Sequence, residues 1–155
     1  AYEIMPSLVG SEMCIRDSTH QAVDLMAIMP HVNATGLLVH TPVTHGHFIT
    51  VLATPKKDLS IEDAKELLHS HDRIRLVRLK DGFLGNASIF KYGRDLGRPR
   101  GDLYEIHIWE DSFVKSGPDI MFGIHIPQES VTIPETIDAV RAAMGMENDR
   151  LAALR

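Results

Sequence analysis

The sequence has little of several features that define common protein classes. It has one cysteine, Cys14, in 155 residues, so no disulfide can form within the chain. No apolar run approaches the roughly 20 residues that cross a bilayer, and the N-terminus has no secretory signal pattern, so we predict no membrane segment. A formal net charge of −5 with mixed signs argues against nucleic-acid binding. These absences together favour a cytoplasmic protein.

The chain also has no G-x-G-x-x-G turn, and therefore no dinucleotide-binding fingerprint of its own. A hydrophobic content of 44% is nevertheless enough for the core of one domain. Any dinucleotide cofactor would have to be held mainly by residues missing from this chain.

The first eighteen residues differ in character from the rest. Residues 6–18, PSLVGSEMCIRDS, resemble the in-frame translation of a sequencing-library adapter and have no sustained helical or strand period. We therefore expect residues 1–18 to be an artefactual or disordered tail, and Cys14 not to be a nucleophile. An ordinary flexible tail is the alternative. Residues 19–155 are expected to form the domain.

Hydrophobic periodicity in the remainder predicts an α+β domain with a mixed, largely antiparallel sheet and helices mainly on one face. A turn is predicted at 116–119, where the sequence is SGPD. The predicted helices span 60–70 and 87–96, with a third opening at Pro134, and the predicted strands span 73–79, 103–109 and 120–126.

Residues 35–53 predict two strand-like segments that meet at an irregular corner marked by Pro42 and Gly46. The corner carries His45 and His47, which would share one face of a strand. Two such histidines can begin a metal site, but no cysteine or carboxylate cluster completes a ligand set, so we predict no metal. A histidine at this corner can instead serve as a proton acceptor near neutral pH.

Three blocks resemble the class II, archaeal-type glyceraldehyde-3-phosphate dehydrogenases, in the family's order and spacing. VHTPVTHGHF at 39–48 is similar to the family's V-P-T-T-L-M-H-x-H. GRDLGRPRGDLYEIHIWEDS at 93–112 and QESVTIPETIDAVRA at 128–142 are similar to two longer family motifs. The resemblance implies the catalytic domain of a phosphorylating dehydrogenase that uses NAD or NADP, glyceraldehyde 3-phosphate and inorganic phosphate, and that assembles as a homotetramer.

The resemblance also implies roles for four residues. His45, the first histidine of the H-x-H pair, matches the catalytic base. His20 and Gln21 stand where the family has two histidines near the substrate phosphate, and Gln21 can donate a hydrogen bond but adds no charge. Gln128 matches a residue near the nicotinamide end of the cofactor.

The family's nucleophilic cysteine belongs to an S-C-N-T-T motif that this sequence lacks. We therefore expect an inactive fragment without the nucleotide-binding domain. Two alternatives remain open: the catalytic domain of a related semialdehyde dehydrogenase, or an α+β binding module without chemistry. The upstream coding sequence would distinguish them.

Overall fold

The computed structural model describes residues 20–36 and 45–146. The chain divides into two compact units, residues 1–42 and 43–155. The predicted tail at 1–18, Cys14 and most of the first strand-like segment lie outside the described residues. In the first unit, helix α1 spans His20–Ile28. It ends two residues before Pro30, because the residue that precedes a proline disfavours helical backbone.

The second unit contains one five-stranded sheet with the order β1-β5-β3-β2, and β4 also pairs with β5. Only β2 and β3 run parallel, whereas β1, β3 and β4 all pair antiparallel to β5. The predicted α+β class and the mixed, largely antiparallel sheet are confirmed. The strands are β1 (His47–Ala53), β2 (Ile74–Val77), β3 (Ile106–Trp109), β4 (Val114–Ser116) and β5 (Asp119–Ile126).

The predicted turn at 116–119 joins β4 to β5 as a hairpin, with Ser116 opposite Asp119. Gly117 adopts a φ of +58°, a conformation that glycine enters without steric cost. The predicted strand at 103–109 is shorter than expected and begins at Ile106. Leu103 precedes the strand and is buried in an apolar cluster with Val77, Ile89 and Trp109.

Helices α2 (Ile61–His69), α3 (Asn86–Asp95) and α4 (Gln128–Ala143) complete the second unit. The predicted start of α2 is confirmed, since the Asp63 N–H donates to Ser60 Oγ at 3.0 Å and the Ser60 N–H donates to Asp63 Oδ2 at 3.1 Å. This reciprocal pair satisfies two backbone donors that the helix itself leaves unpaired.

The predicted start of the last helix at Pro134 is wrong. Helix α4 begins at Gln128, and Pro134 lies inside it with its side chain buried. A proline in a helix interior removes one backbone hydrogen bond, so the sequence pattern favoured a start at this residue. The helix tolerates the loss because it is anchored elsewhere: Ser130 Oγ donates to the Leu103 carbonyl at 2.5 Å, and Arg73 pairs with Asp138 at 2.7 Å.

The two faces of the sheet carry different side chains. The isoleucine face, formed by Ile108, Ile120 and their neighbours, packs against Ala64 of α2. The histidine face carries His107 and His125, which are opposite each other on β3 and β5. Helix α3 packs on this face, and its Phe90 ring contacts the His125 ring.

Candidate functional site around His45

His45 lies in a bend immediately before β1, with 64% of its side chain exposed. His47 is the first residue of β1 and pairs with Ile126. The expectation that the two histidines share one face of a strand is therefore wrong. Gly46 separates them with a φ of +68°, which interrupts the strand conformation and leaves only His47 in the ladder.

Gly46 is enclosed on the side where any other residue would carry a Cβ atom. A Cβ there would lie 2.7 Å from His125 Cε1, 2.9 Å from the Ile126 carbonyl oxygen and 3.2 Å from Phe90 Cζ. Its N–H donates to Glu129 Oε1 at 3.0 Å. Contacts from β5, α3 and α4 therefore hold the backbone next to His45.

Two side chains border the His45 imidazole. The Phe90 ring lies 5.4 Å from it between centroids, at an interplanar angle of 60°. Glu129 Oε1 lies 3.8 Å from His45 Nδ1. The imidazole thus has an apolar ring and a carboxylate as neighbours and keeps most of its surface in solvent.

Beneath this corner lie two buried histidines. His125 and His107 are almost inaccessible, and their ring centroids are 6.1 Å apart. Burial lowers the pKa of each to about 4, and for His125 the neighbouring His107 adds to the lowering. Both rings are therefore neutral at neutral pH. The Phe90 ring packs edge-on against the His125 ring, with 5.2 Å between centroids, and both rings lie next to Gly46.

Gln128 opens α4 directly after the buried Pro127, and it is exposed. Its neighbour Glu129 contacts the His45 corner, so the structure brings the predicted base and the start of this helix together. Glu129 belongs to the QES motif, but the family resemblance implied no role for it. The one sequence signal for the buried histidines is that each stands between two isoleucines, at 106–108 in β3 and at 124–126 in β5.

His20 and Gln21 are the first two residues of α1, in the first unit. Within residues 20–36 and 45–146 no group of three or more histidine, cysteine, aspartate or glutamate side chains is placed to hold a metal ion. In the same ranges no helix has the length and apolar character that crossing a membrane requires.

No family model matches the chain. Its curated relatives are oxidoreductases, and they carry the name glyceraldehyde-3-phosphate dehydrogenase. One from Methanosarcina barkeri, numbered 2, is 37% identical over 131 residues, which is 84% of this chain and 38% of the relative. Those from Methanosarcina mazei and Methanocaldococcus jannaschii are both 36% identical, over 87% and 88% of this chain and 40% of each relative.

The chain therefore spans about two fifths of the length of the relatives it matches. Over most of its own length it is homologous to one part of the archaeal glyceraldehyde-3-phosphate dehydrogenases. The similarity predicted from the three sequence blocks is confirmed.

Proposed function

We propose that this chain is a segment, chiefly the catalytic domain, of an archaeal-type phosphorylating glyceraldehyde-3-phosphate dehydrogenase. The complete enzyme converts glyceraldehyde 3-phosphate, inorganic phosphate and NAD or NADP to 1,3-bisphosphoglycerate and the reduced cofactor. The observation that carries this proposal is the 34–37% identity to enzymes of that name over at least 84% of the chain.

In the proposed reaction His45 is the base. His45 takes the proton of a cysteine thiol supplied by the complete enzyme, and the thiolate attacks the aldehyde carbon. The proton passes to the aldehyde oxygen to give a thiohemiacetal, and His45 takes it back as hydride departs and the thioester forms. When bound, NAD or NADP accepts that hydride. Inorganic phosphate then cleaves the thioester and releases the cysteine. The exposed imidazole suits this role because a reacting group can approach it from solvent and histidine is the side chain that most often acts as a general base.

Gln128 is proposed to contact the nicotinamide end of the cofactor. Its exposed side-chain amide offers both a donor and an acceptor, which match the carboxamide group of nicotinamide. The adjacent residue Glu129 touches the His45 corner, so a group bound at Gln128 would lie near the base. His20 and Gln21 are proposed to contact the substrate phosphate as hydrogen-bond donors.

The complete enzyme is proposed to be a cytoplasmic homotetramer. Self-association is supported by the exposed apolar side chains of Phe48 and Leu52 on the edge strand β1. The 155-residue chain assayed alone with glyceraldehyde 3-phosphate, phosphate and NADP is expected to give only the background rate. Turnover that is abolished by alkylating Cys14 would contradict this expectation.

The role of His45 can be tested in the enzyme expressed from its complete reading frame. His45→Ala should lower kcat by about a hundredfold to ten-thousandfold, the contribution of a positioned general base. The matched control His47→Ala should do much less, because His47 belongs to the β1 ladder. A reversed order would move the role to His47, and small equal effects would refute a base at this corner.

The same enzyme distinguishes the alternatives when it is assayed with phosphorylated semialdehydes beside glyceraldehyde 3-phosphate. A higher kcat/KM for a semialdehyde would assign the domain to the related semialdehyde dehydrogenases. No oxidation of any aldehyde would favour the non-catalytic module.

A further inference from the structure

We infer that Glu129 is a positioning residue for His45: its carboxylate faces Nδ1 and leaves Nε2 as the nitrogen that takes the proton. This inference rests on the proposed function for the identity of the reaction. The geometry that supports it lies within the second unit and does not depend on the substrate.

The Glu129 carboxylate is positioned by its place in helix α4 and by a hydrogen bond from the Gly46 backbone. Glu129 lies in the first turn of α4, where the positive end of the helix dipole favours a negative charge. The next residue, Ser130, is buried and donates to the Leu103 carbonyl. On the other side, Glu129 Oε1 accepts the Gly46 N–H at 3.0 Å. The same oxygen that faces His45 is therefore held by the residue that follows His45.

The Phe90 ring lies on one side of the His45 imidazole. Phe90 flanks the ring at 5.4 Å, and Phe90 is itself packed edge-on against the buried His125. With Nδ1 at 3.8 Å from Glu129 Oε1, the separation exceeds hydrogen-bond length. The proposed contact therefore requires the exposed ring to move toward the carboxylate. Catalytic hydrogen bonds are often long in the absence of substrate and tighten in the substrate complex.

A carboxylate at Nδ1 has two chemical consequences. It favours the neutral tautomer that carries its proton on Nδ1, because that N–H can point at the negative oxygen. Nε2 is then unprotonated and can accept a proton. Once Nε2 is protonated, the carboxylate also stabilises the imidazolium by charge attraction.

The tautomer can be measured on the 155-residue chain itself, without any activity. Nitrogen chemical shifts of His45 in a histidine-labelled sample should show the Nδ1–H form as dominant at pH 8. Glu129→Gln keeps an oxygen to accept the Gly46 N–H but removes the charge, and it should move the population toward Nε2–H. The control Glu66→Gln removes the same charge from the exposed surface of α2 and should leave the ratio unchanged.

In the complete enzyme, Glu129→Gln should lower kcat by about tenfold to hundredfold, the range found when a carboxylate that orients a metal-bound histidine is removed. KM for the aldehyde should change much less, and Glu66→Gln should change neither constant. An unchanged tautomer ratio in Glu129→Gln would overturn the inference. So would a normal kcat in Glu129→Gln beside a loss in Glu129→Ala, since that pattern assigns Glu129 only a structural bond to Gly46.

The two experiments also separate this inference from the proposed function. If His45→Ala retains full kcat, the proposed role of His45 as the base fails whatever the tautomer shows. If His45→Ala is inactive and Glu129→Gln keeps both the wild-type tautomer and kcat, only the role of Glu129 fails.

Discussion

Replacing Gly46 with alanine should destabilise the second unit by about 2–4 kcal/mol. Part of this loss, about 1 kcal/mol, comes from placing a Cβ atom on a residue with a φ of +68°. The rest, about 1–3 kcal/mol, comes from overpacking, because the new Cβ would lie 2.7 Å from His125 Cε1 and 2.9 Å from a backbone oxygen. The backbone oxygen belongs to the β1–β5 ladder and cannot move without breaking strand pairing.

Gly117→Ala is the matched control for this prediction. Gly117 also has a positive φ, +58°, but a Cβ there would meet nothing within 4 Å. Its replacement should therefore cost only the conformational share, about 1 kcal/mol. Urea unfolding can be followed by the fluorescence of Trp109, the single tryptophan, which is 5% exposed. Equal losses in the two variants would refute the claim that contact with His125 makes glycine necessary at position 46.

Two further predictions concern the core. The pKa values of His107 and His125 are lowered to about 4, chiefly by burial. Stability should therefore fall as the pH drops from about 6.5 to about 4, by at most about 3 kcal/mol for each ring, because the unfolded chain binds protons that the folded core excludes. Imidazole NMR signals of His107 and His125 that titrate above pH 5.5 in the folded chain would contradict this prediction. Ile89→Ala should cost about 2–5 kcal/mol in urea unfolding, since Ile89 is 0% exposed, whereas Leu84→Ala, at 79% exposed, should cost under about 0.5 kcal/mol. Similar losses in both variants would argue against the assigned core.

Short-range patterns in the sequence were sufficient to predict the start of α2 and the turn at 116–119. Ser60 and Asp63 predicted the start of α2 because a capping box involves only residues three apart. The turn at 116–119 followed from its glycine and proline. Pro134 misled because its preference for the first turn of a helix is local, whereas the anchors of α4 at Leu103 and Arg73 are distant in sequence.

The candidate site was only partly accessible from the sequence. The family resemblance pointed to His45 through the block at 39–48. The residues that contact His45 or support the backbone beside it come from three other elements. Phe90 belongs to α3, His125 to β5 and Glu129 to α4. No spacing rule relates these positions, because they meet only when β1 pairs with β5 and α3 covers the histidine face.

The sequence by itself therefore determined the fold class, the start of α2, the hairpin and the family resemblance. Each depends on residues that are close in sequence or on motifs that occur in the family's order and spacing. Only the tertiary structure decided which helix covers which face of the sheet and that His45 and His47 have different environments. It also decided that a carboxylate lies beside His45. The physical reason is that these features depend on contacts between residues far apart in the sequence, such as Gly46 and Glu129, which are 83 residues apart. Such contacts form only when the strands pair and the helices pack on the sheet.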